Sequence, residues 1–335
     1  MPGKMAHAER ERALALARES ERILLSGHLR ADGDCLGAQA VLYHAFRSLG
    51  KECEILLPDP PDGRYGFLRE KTPWAVKDPQ APLPPHDLLM VCDCSRLSRL
   101  GEMGALVEAS KIPRIALDHH PLEDGESPWT ALFHDLNSPA SGLLALEFSR
   151  ALGVEPGPEA CEAAFTALMT DTGWLKYSNA GPVAWEAAAA MVAAGVDTVK
   201  VYHEVYQRAE PGRPRGIAAA MSNLEYYEDG KLALAWVDEA SLDGEHASLE
   251  DTDEVLDLMR AVDGVEAVAF LMPRSGLWKA SLRSLSVVDV NEVAETLGGG
   301  GHARASGVLF PEGTTLKEAR GSLLKGLQDA LRALS

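Results

Sequence analysis

The 335-residue chain has no apolar run approaching the roughly 18 residues that a bilayer-spanning helix requires, so a membrane-embedded protein is not expected. Basic side chains are scarce: 32 Lys and Arg stand against 50 Asp and Glu, a formal net charge of −18. That balance excludes a broad electrostatic grip on duplex nucleic acid, which needs basic patches. Cysteine is sparse as well. Five residues without framework spacing exclude a disulfide scaffold and suit a reducing cytoplasm. Cys92 and Cys94 sit two apart with no second Cys/His pair at zinc-finger spacing, and read as small buried residues. The first 22 residues are charged and Ala-rich, without the apolar segment of a signal peptide, and a cytoplasmic location is expected. Neither the Gly-Lys-Ser/Thr of a Walker A loop nor the Rossmann glycine fingerprint is present.

What is there describes an ordinary globular protein, 46% hydrophobic and 24% charged, long enough for two domains. Periodicity predicts helices over 8–22, 36–49, 143–152, 158–170, 183–194 and 197–207, with buried strands at 23–28, 52–57, 88–93 and 112–120. Strand, polar loop, helix is the opening of a βα unit and implies an α/β fold with a mostly parallel sheet. Residues 121–138 read as a loop. Arg208–Arg215, with Pro211, Gly212 and Pro214, reads as part of a helical linker or hinge over 196–215. Beyond it, strands at 231–237, 265–272 and 277–283, a helix near 251–261 and a last helix over 315–334 predict a separate, smaller α/β module over 216–335.

Chemistry-bearing residues gather at the predicted strand ends. Asp118-His119-His120 closes the run Ile115-Ala116-Leu117, and three metal-favouring side chains at such a place rarely serve packing. His28 ends the first strand, and Asp32 and Asp34 follow in the next loop, although an Asp such as Asp34 also suits a helix N-cap. Asp93 tips the strand Leu88–Cys92. A buried carboxylate needs a partner, which a metal, Arg96 or Arg99 could supply. Asp171 lies in the turn Thr170-Asp171-Thr172-Gly173. Ser138-Pro139-Ala140-Ser141-Gly142 leads a helix with a small hydroxylated start, which reads as an N-cap and less strongly as an anion cradle. In the second module, Gly298–Gly301 run into His302-Ala303-Arg304, suiting a loop whose backbone approaches a ligand.

Taken together these stretches resemble the DHH/DHHA1 phosphoesterase family over almost the whole chain. The motifs are His28-Leu29-Arg30-Ala31-Asp32-Gly33-Asp34, Val91-Cys92-Asp93, Asp118-His119-His120, Thr170-Asp171-Thr172-Gly173 and, C-terminally, Ser281-Leu282-Arg283-Ser284 with Gly298-Gly299-Gly300-Gly301-His302. Arg30-Ala31 stands where the family usually has a Pro before the Asp, and Ala305-Ser306-Gly307 where it usually has Ala-Ala-Gly. Tyr177-Ser178-Asn179 and the two-domain length look most like the NrnA-like subgroup, which degrades nanoRNA and dephosphorylates 3′-phosphoadenosine 5′-phosphate (pAp).

The resemblance implies a DHH catalytic domain over 1–195, a DHHA1 substrate-binding domain, and an active site in the cleft between them. It implies two divalent cations, Mn²⁺ first, with Mg²⁺, Co²⁺ or Zn²⁺ as substitutes, which an imidazole and carboxylate set without thiolate suits. One would be held by His28, Asp32 and Asp93, the other by Asp34, Asp93, His119 and Asp171, with Asp93 bridging and an acidified water as nucleophile. Asp118 would orient a histidine, and His120 would contact the phosphate or protonate the leaving oxygen. Arg283, Ser284, Gly299, Gly300, Gly301, His302 and Arg304 would contact substrate. Short RNA and nucleotide bisphosphate are the expected partners, in a homodimer. Cleavage of linear or cyclic dinucleotides, RecJ-like action on single-stranded DNA and a non-catalytic nucleotide sensor are the competing readings.

Overall fold

The computed structural model describes residues 2–122, 127–242 and 253–334. The chain divides into two units, Met1–Arg208 and Ala209–Ser335. The boundary falls inside the 196–215 segment expected as a linker.

In the first unit the elements run α1 (Pro2–Glu19), β1 (Arg22–Gly27), α2 (Gly33–Ser48), β2 (Glu52–Leu57), α3 (Gly66–Arg69), β3 (Ala75–Val76), β4 (Leu88–Cys92), α4 (Glu102–Ala109), β5 (Arg114–Asp118), β6 (Ala131–His134), α5 (Ser141–Ala151), α6 (Pro158–Asp171), α7 (Pro182–Ala193) and α8 (Thr198–Tyr206). The strands form one all-parallel sheet in the order β3-β2-β1-β4-β5-β6. Both faces are buried, which is why the strands read as continuous apolar runs. Ile23, Leu25, Met90, Ile115 and Leu117 face the core shared with α2, α5 and α6, while Leu24, Leu89, Val91 and Ala116 pack with Met103 and Val107 of α4. Residues of α8 expected in the linker belong to this core, through Val201 and Val205.

Helix α1 spans 2–19 where 8–22 is expected and β5 spans 114–118 where 112–120 is expected, and two further differences bear on the site. Helix α2 starts at Gly33 rather than near Leu36, because the Asp32 Oδ1 accepts from the N–H groups of Asp34 and Cys35 and caps it. The cap is therefore Asp32, and Asp34 lies inside the first turn. The expected loop 121–138 contains β6, a four-residue edge strand whose Leu132 N–H donates to Glu9 of α1 and whose Phe133 ring lies under the Arg10 guanidinium.

The second unit comprises α9 (Arg213–Ser222), β7 (Glu225–Tyr227), β8 (Leu232–Trp236), α10 (Glu239–Leu242), α11 (Asp253–Arg260), β9 (Ala267–Arg274), β10 (Leu277–Ser284), α12 (Val290–Thr296), β11 (Gly300–His302), β12 (Ala305–Leu309) and α13 (Leu316–Arg332). The start of the helix expected near 251–261, residues 251–252, lies outside the described residues. The sheet order is β11-β12-β10-β9-β8-β7, antiparallel except for β8 with β9. Alternate residues sort to its two faces. Leu232, Leu234 and Ala269 pack with Leu323 and Leu327 of α13, whereas Ala233, Ala235 and Phe270 pack with Leu256 and Met259 of α11.

The run of four glycines is a helix end and a hairpin rather than a loose loop. Gly298, at φ +78, ends α12, and the N–H groups of Gly298 and Gly299 close onto Glu295 and Ala294. Beta carbons at Gly299 and Gly301 would lie 2.2 Å from the Gly307 carbonyl oxygen and 2.5 Å from that of Ala305. Glycine is demanded here by the approach of β11 to its own partner strand.

Candidate metal centre

The strand order reverses between β1 and β4, and in open parallel sheets ligands bind outside the carboxyl ends of the strands at such a switch point. Register does the rest. Gly27 pairs with Cys92 and Cys92 with Leu117, so β1, β4 and β5 end in step. The next residues are His28, Asp93 and Asp118-His119-His120. Asp93 adopts φ +57, an uncommon left-handed conformation for a residue with a side chain, held by its N–H bond to the Leu117 carbonyl.

Three helices supply the remaining groups. Asp34 comes from the first turn of α2, and Asp171 is the last residue of α6 rather than a turn residue beyond it. Helix α5 contributes its N-terminus. Its Ser141 and Gly142 N–H groups donate to the two Asp34 carboxylate oxygens at 2.7 and 2.8 Å, and the Ser141 hydroxyl donates to Asp93 Oδ1 at 2.9 Å. The N-cap residue is Ala140, without a side-chain cap, which corrects the capping expectation. The anion cradled by this helix end is the protein's own Asp34 carboxylate. Asn179 Nδ2 donates to Asp171 Oδ2 at 2.9 Å and so fixes the last carboxylate.

All six residues expected as metal ligands meet. His28 Nε2 lies 3.3 Å from Asp93 Oδ2 and 3.8 Å from Asp32 Oδ1. His119 Nε2 lies 3.5 Å from Asp93 Oδ1, 3.6 Å from Asp34 Oδ2 and 4.0 Å from Asp171 Oδ2. Three overlapping sets, His28/Asp32/Asp93, Asp34/His119/Asp171 and Asp93/His119/His120, each bring one donor atom per residue within 4.8 Å of the others. Asp93 is 2% exposed and common to two of the sets. Neither Arg96 nor Arg99 pairs with Asp93, and its neighbours are His28, His119, His120 and Ser141.

Both imidazoles are oriented from behind. His28 Nδ1 is 2.8 Å from the Leu29 carbonyl and His119 Nδ1 2.9 Å from the Ser138 carbonyl. A carbonyl accepts only, so each Nδ1 carries a proton, and it is Nε2 of each ring that faces the carboxylate oxygens. Both Nε2 atoms are buried and make no hydrogen bond. Acceptors facing acceptors at this range need a proton or a cation between them, and an imidazole and carboxylate donor set of this kind fits divalent metal.

Protons are the alternative occupant, and the site's electrostatics show how strongly a cation is wanted. Burial, then Asp93, Asp171 and Asp32, drives the Asp34 carboxyl well above its usual range. Burial likewise pushes Asp171 up to about 6, against His119 and with Asp93 and Asp32. Burial opposes a charged His28 ring, but Asp32 and Asp93 outweigh it and raise His28 to about 10. Crowding by the cluster works against the Asp32 carboxylate even though its side chain is 53% exposed, and His28 overrides it, bringing Asp32 down to about 2.

Asp118 is buried and uses Oδ1 twice, accepting from the His120 N–H at 3.1 Å and facing His120 Nδ1 at 2.9 Å. The ring of His120 is thereby oriented beside Asp93, 3.5 Å away. Against burial, Asp118 and Asp93 raise the His120 ring above its ordinary value. In the second unit, Arg283 Nη2 pairs with Asp253 at 2.7 Å, and Arg304 Nη1 donates to the Val288 carbonyl at 2.7 Å and the Ser284 hydroxyl at 3.4 Å. Gly299, Gly300, Gly301 and His302 form or flank the exposed β11. Ser141 and Asn179 were quoted in the sequence without the roles they take. Their signal was a Ser-Gly helix start and an Asn eight residues after Asp171.

Residues 22–196 match the DHH family, N-terminal domain, and residues 229–333 the DHHA1 domain. The bifunctional oligoribonuclease and PAP phosphatase NrnA of Thermus thermophilus is 30% identical over 312 residues, 92% of this chain and 90% of that protein. A crystal structure of an exopolyphosphatase-related protein from Bacteroides fragilis aligns with a TM-score of 0.88 at 22% identity, covering 96% of each chain. RecJ from Thermus thermophilus, solved in complex with Mn²⁺, aligns with a TM-score of 0.53 at 16% identity over 96% of this chain and 55% of its own. Both structural likenesses are likenesses of fold.

Proposed function

This chain belongs to the DHH family and carries a DHHA1 domain after the DHH domain, and on that premise we propose that it is a metal-dependent phosphoesterase degrading short oligoribonucleotides and dephosphorylating pAp to AMP. The observation that carries this reading is the pair of buried, unbonded Nε2 atoms of His28 and His119 aimed at carboxylate oxygens. His28, Asp32 and Asp93 would hold one divalent cation and Asp34, Asp93, His119 and Asp171 a second, with Mn²⁺ the first choice for this hard-to-borderline set. Bound there, such ions shield phosphate charge and lower the pKa of water towards neutrality.

The chain's own residues do the rest. Ser141 and the α5 N-terminus hold Asp34 and Asp93 in place. Asp118 fixes His120 through Nδ1, which leaves the ring to donate a proton to the leaving oxygen. Arg283, Ser284, Gly299–Gly301, His302 and Arg304 would contact the substrate's remaining phosphates and ribose, Arg283 by exchanging Asp253 for phosphate. The relative from Thermus thermophilus, named for both activities, supports this choice of substrates. The dimer belongs to the same proposal, with light scattering as its check.

Turnover of pAp, a five-nucleotide RNA and the linear dinucleotide pApA, each with Mn²⁺ and with EDTA, tests the reading. Hydrolysis of pAp and RNA that EDTA abolishes is expected. Activity indifferent to EDTA, or confined to the dinucleotide, would overturn it.

A further inference from the structure

The two loops that leave β1 and β4 at the switch point carry the metal-site residues His28 and Asp93, and each then carries an arginine that the reading above does not use. They are fastened together. The Leu29 N–H donates to the Arg99 carbonyl at 2.8 Å, and the Leu29 side chain lies against Gly101, where an added Cβ would be 3.0 Å from it. Arg30 is held at φ +54, an uncommon conformation for a residue with a side chain, by its N–H bond to the Asp59 carboxylate at 2.7 Å. Backbone strain of this kind persists where the surroundings impose it, often at ligand sites.

Both arginines are exposed, and neither guanidinium makes an ion pair or hydrogen bond with any described residue. Several other guanidiniums of this acidic chain are taken up by its own acids, as Arg10 is by Glu147, Arg213 by Glu254 and Arg283 by Asp253. The pair also stands at the open side of the cluster. Asp32, with its side chain 53% exposed, is the least buried of the six candidate ligands. The Arg99 charge reaches Asp32, adding to burial, His28 and the Cys35 N–H as an influence on that carboxyl.

We propose that Arg99 and Arg30 bind a second phosphate of the substrate, one that is not hydrolysed, so that nucleotides carrying another phosphate near the scissile one are selected. This rests on the phosphoesterase reading and adds a specificity site to it. Guanidinium suits the task, because it offers several N–H donors in a planar fork and stays charged at every working pH. It also answers an electrostatic difficulty. A substrate with two phosphates approaches a chain of net charge −18, and fixed cations on the loops that carry His28 and Asp93 oppose that field locally.

The test uses the full chain with Mn²⁺ and two variants, Arg99→Gln and Arg30→Gln. Steady-state kinetics are measured on adenosine 3′,5′-bisphosphate and on adenosine 3′-monophosphate, which lacks the second phosphate. Calorimetry measures the binding of AMP, which carries only the phosphate that is not hydrolysed. For Arg99→Gln the expected results are a KM for the bisphosphate raised about tenfold with kcat within about twofold, a KM for the monophosphate changed less than about twofold, and AMP binding weakened about tenfold. Equal changes for both substrates, or AMP affinity untouched in both variants, would overturn the proposal. A wild-type enzyme that hydrolyses neither nucleotide defeats the phosphoesterase reading, and AMP binding by the three proteins still decides the phosphate site.

Discussion

Asp93 stands at the centre of the site, and its position follows from two facts about single residues. It is the first residue past β4, beside His28 and Asp118 on the flanking strands, and its φ of +57 turns the side chain into the cluster rather than along the strand. A carboxylate 2% exposed is tolerated because His28, His119, His120 and the Ser141 hydroxyl surround it. Of these only Ser141 can donate irrespective of tautomer, so it fixes which Asp93 oxygen faces which imidazole. Hydrogen-bond partners of ligating groups typically carry about 10- to 100-fold in metal affinity or activity. Ser141→Ala is therefore expected to lower Mn²⁺ affinity by about that factor with the fold intact, read by calorimetry alongside circular dichroism. Unchanged affinity would show that Asp93 needs no such support. The ligand-type residues were legible in the sequence because acids and imidazoles at strand tips are conspicuous. Ser141 and Asn179 were not, because a hydroxyl or amide declares its role only when its partner is in place.

Among the elements, α5 does most to shape the centre. Its first two N–H groups grip Asp34 and its first hydroxyl grips Asp93, which requires the helix to start very close to α2 and α6. Gly142 permits that approach: a Cβ there would lie 2.3 Å from the Ala167 Cβ on α6 and 3.5 Å from Asp34 Oδ1. Gly142→Ala is expected to push α5 outward, costing about 1–3 kcal/mol by overpacking and weakening Mn²⁺ binding at the same time. Denaturant unfolding and calorimetry on the one variant would show both. Full affinity with lowered stability would mean that the α5 terminus does not hold the ligands. Helices α2, α5–α8 and α13 were read within a few residues from periodicity, α1 less closely, and the buried parallel strands from their apolar runs, whereas α4, α9 and α12 were not read. The four-residue β6 escaped because its ordering comes from α1, through Glu9 and the Arg10–Phe133 contact far away in sequence. The packing of the glycine run on β12 was hidden for a related reason, since its partner strand only follows in the chain.

At the scale of the whole molecule the cluster links stability to metal and pH. Asp171, raised to about 6, binds its proton more tightly folded than unfolded, so the metal-free protein loses stability as pH rises from about 4 to 6, and Asp34, raised as well, acts in the same direction. His28, raised to about 10, adds stability that is full below about 6.5 and is lost as pH climbs towards 10. Asp32 acts oppositely but only below about pH 4. The metal-free protein should thus be weaker on the alkaline side, where a cation has fewer protons to displace. Mn²⁺ at about 100 times its Kd is expected to raise Tm by roughly 5–10 °C at pH 8 and by less than half as much at pH 5. Scanning calorimetry across pH checks the trend, and an equal gain at both pH values would refute the linkage. Among the described residues no helix is long and apolar enough to cross a membrane. The charge of −18 finds part of its reason in carboxylates placed to meet cations. The most direct test is anomalous diffraction at the manganese edge from crystals grown with Mn²⁺. Two peaks per chain are expected, both touching Asp93, one beside His28 and Asp32 and the other beside Asp34, His119 and Asp171. A single peak, or peaks away from Asp93, would contradict the shared-carboxylate centre.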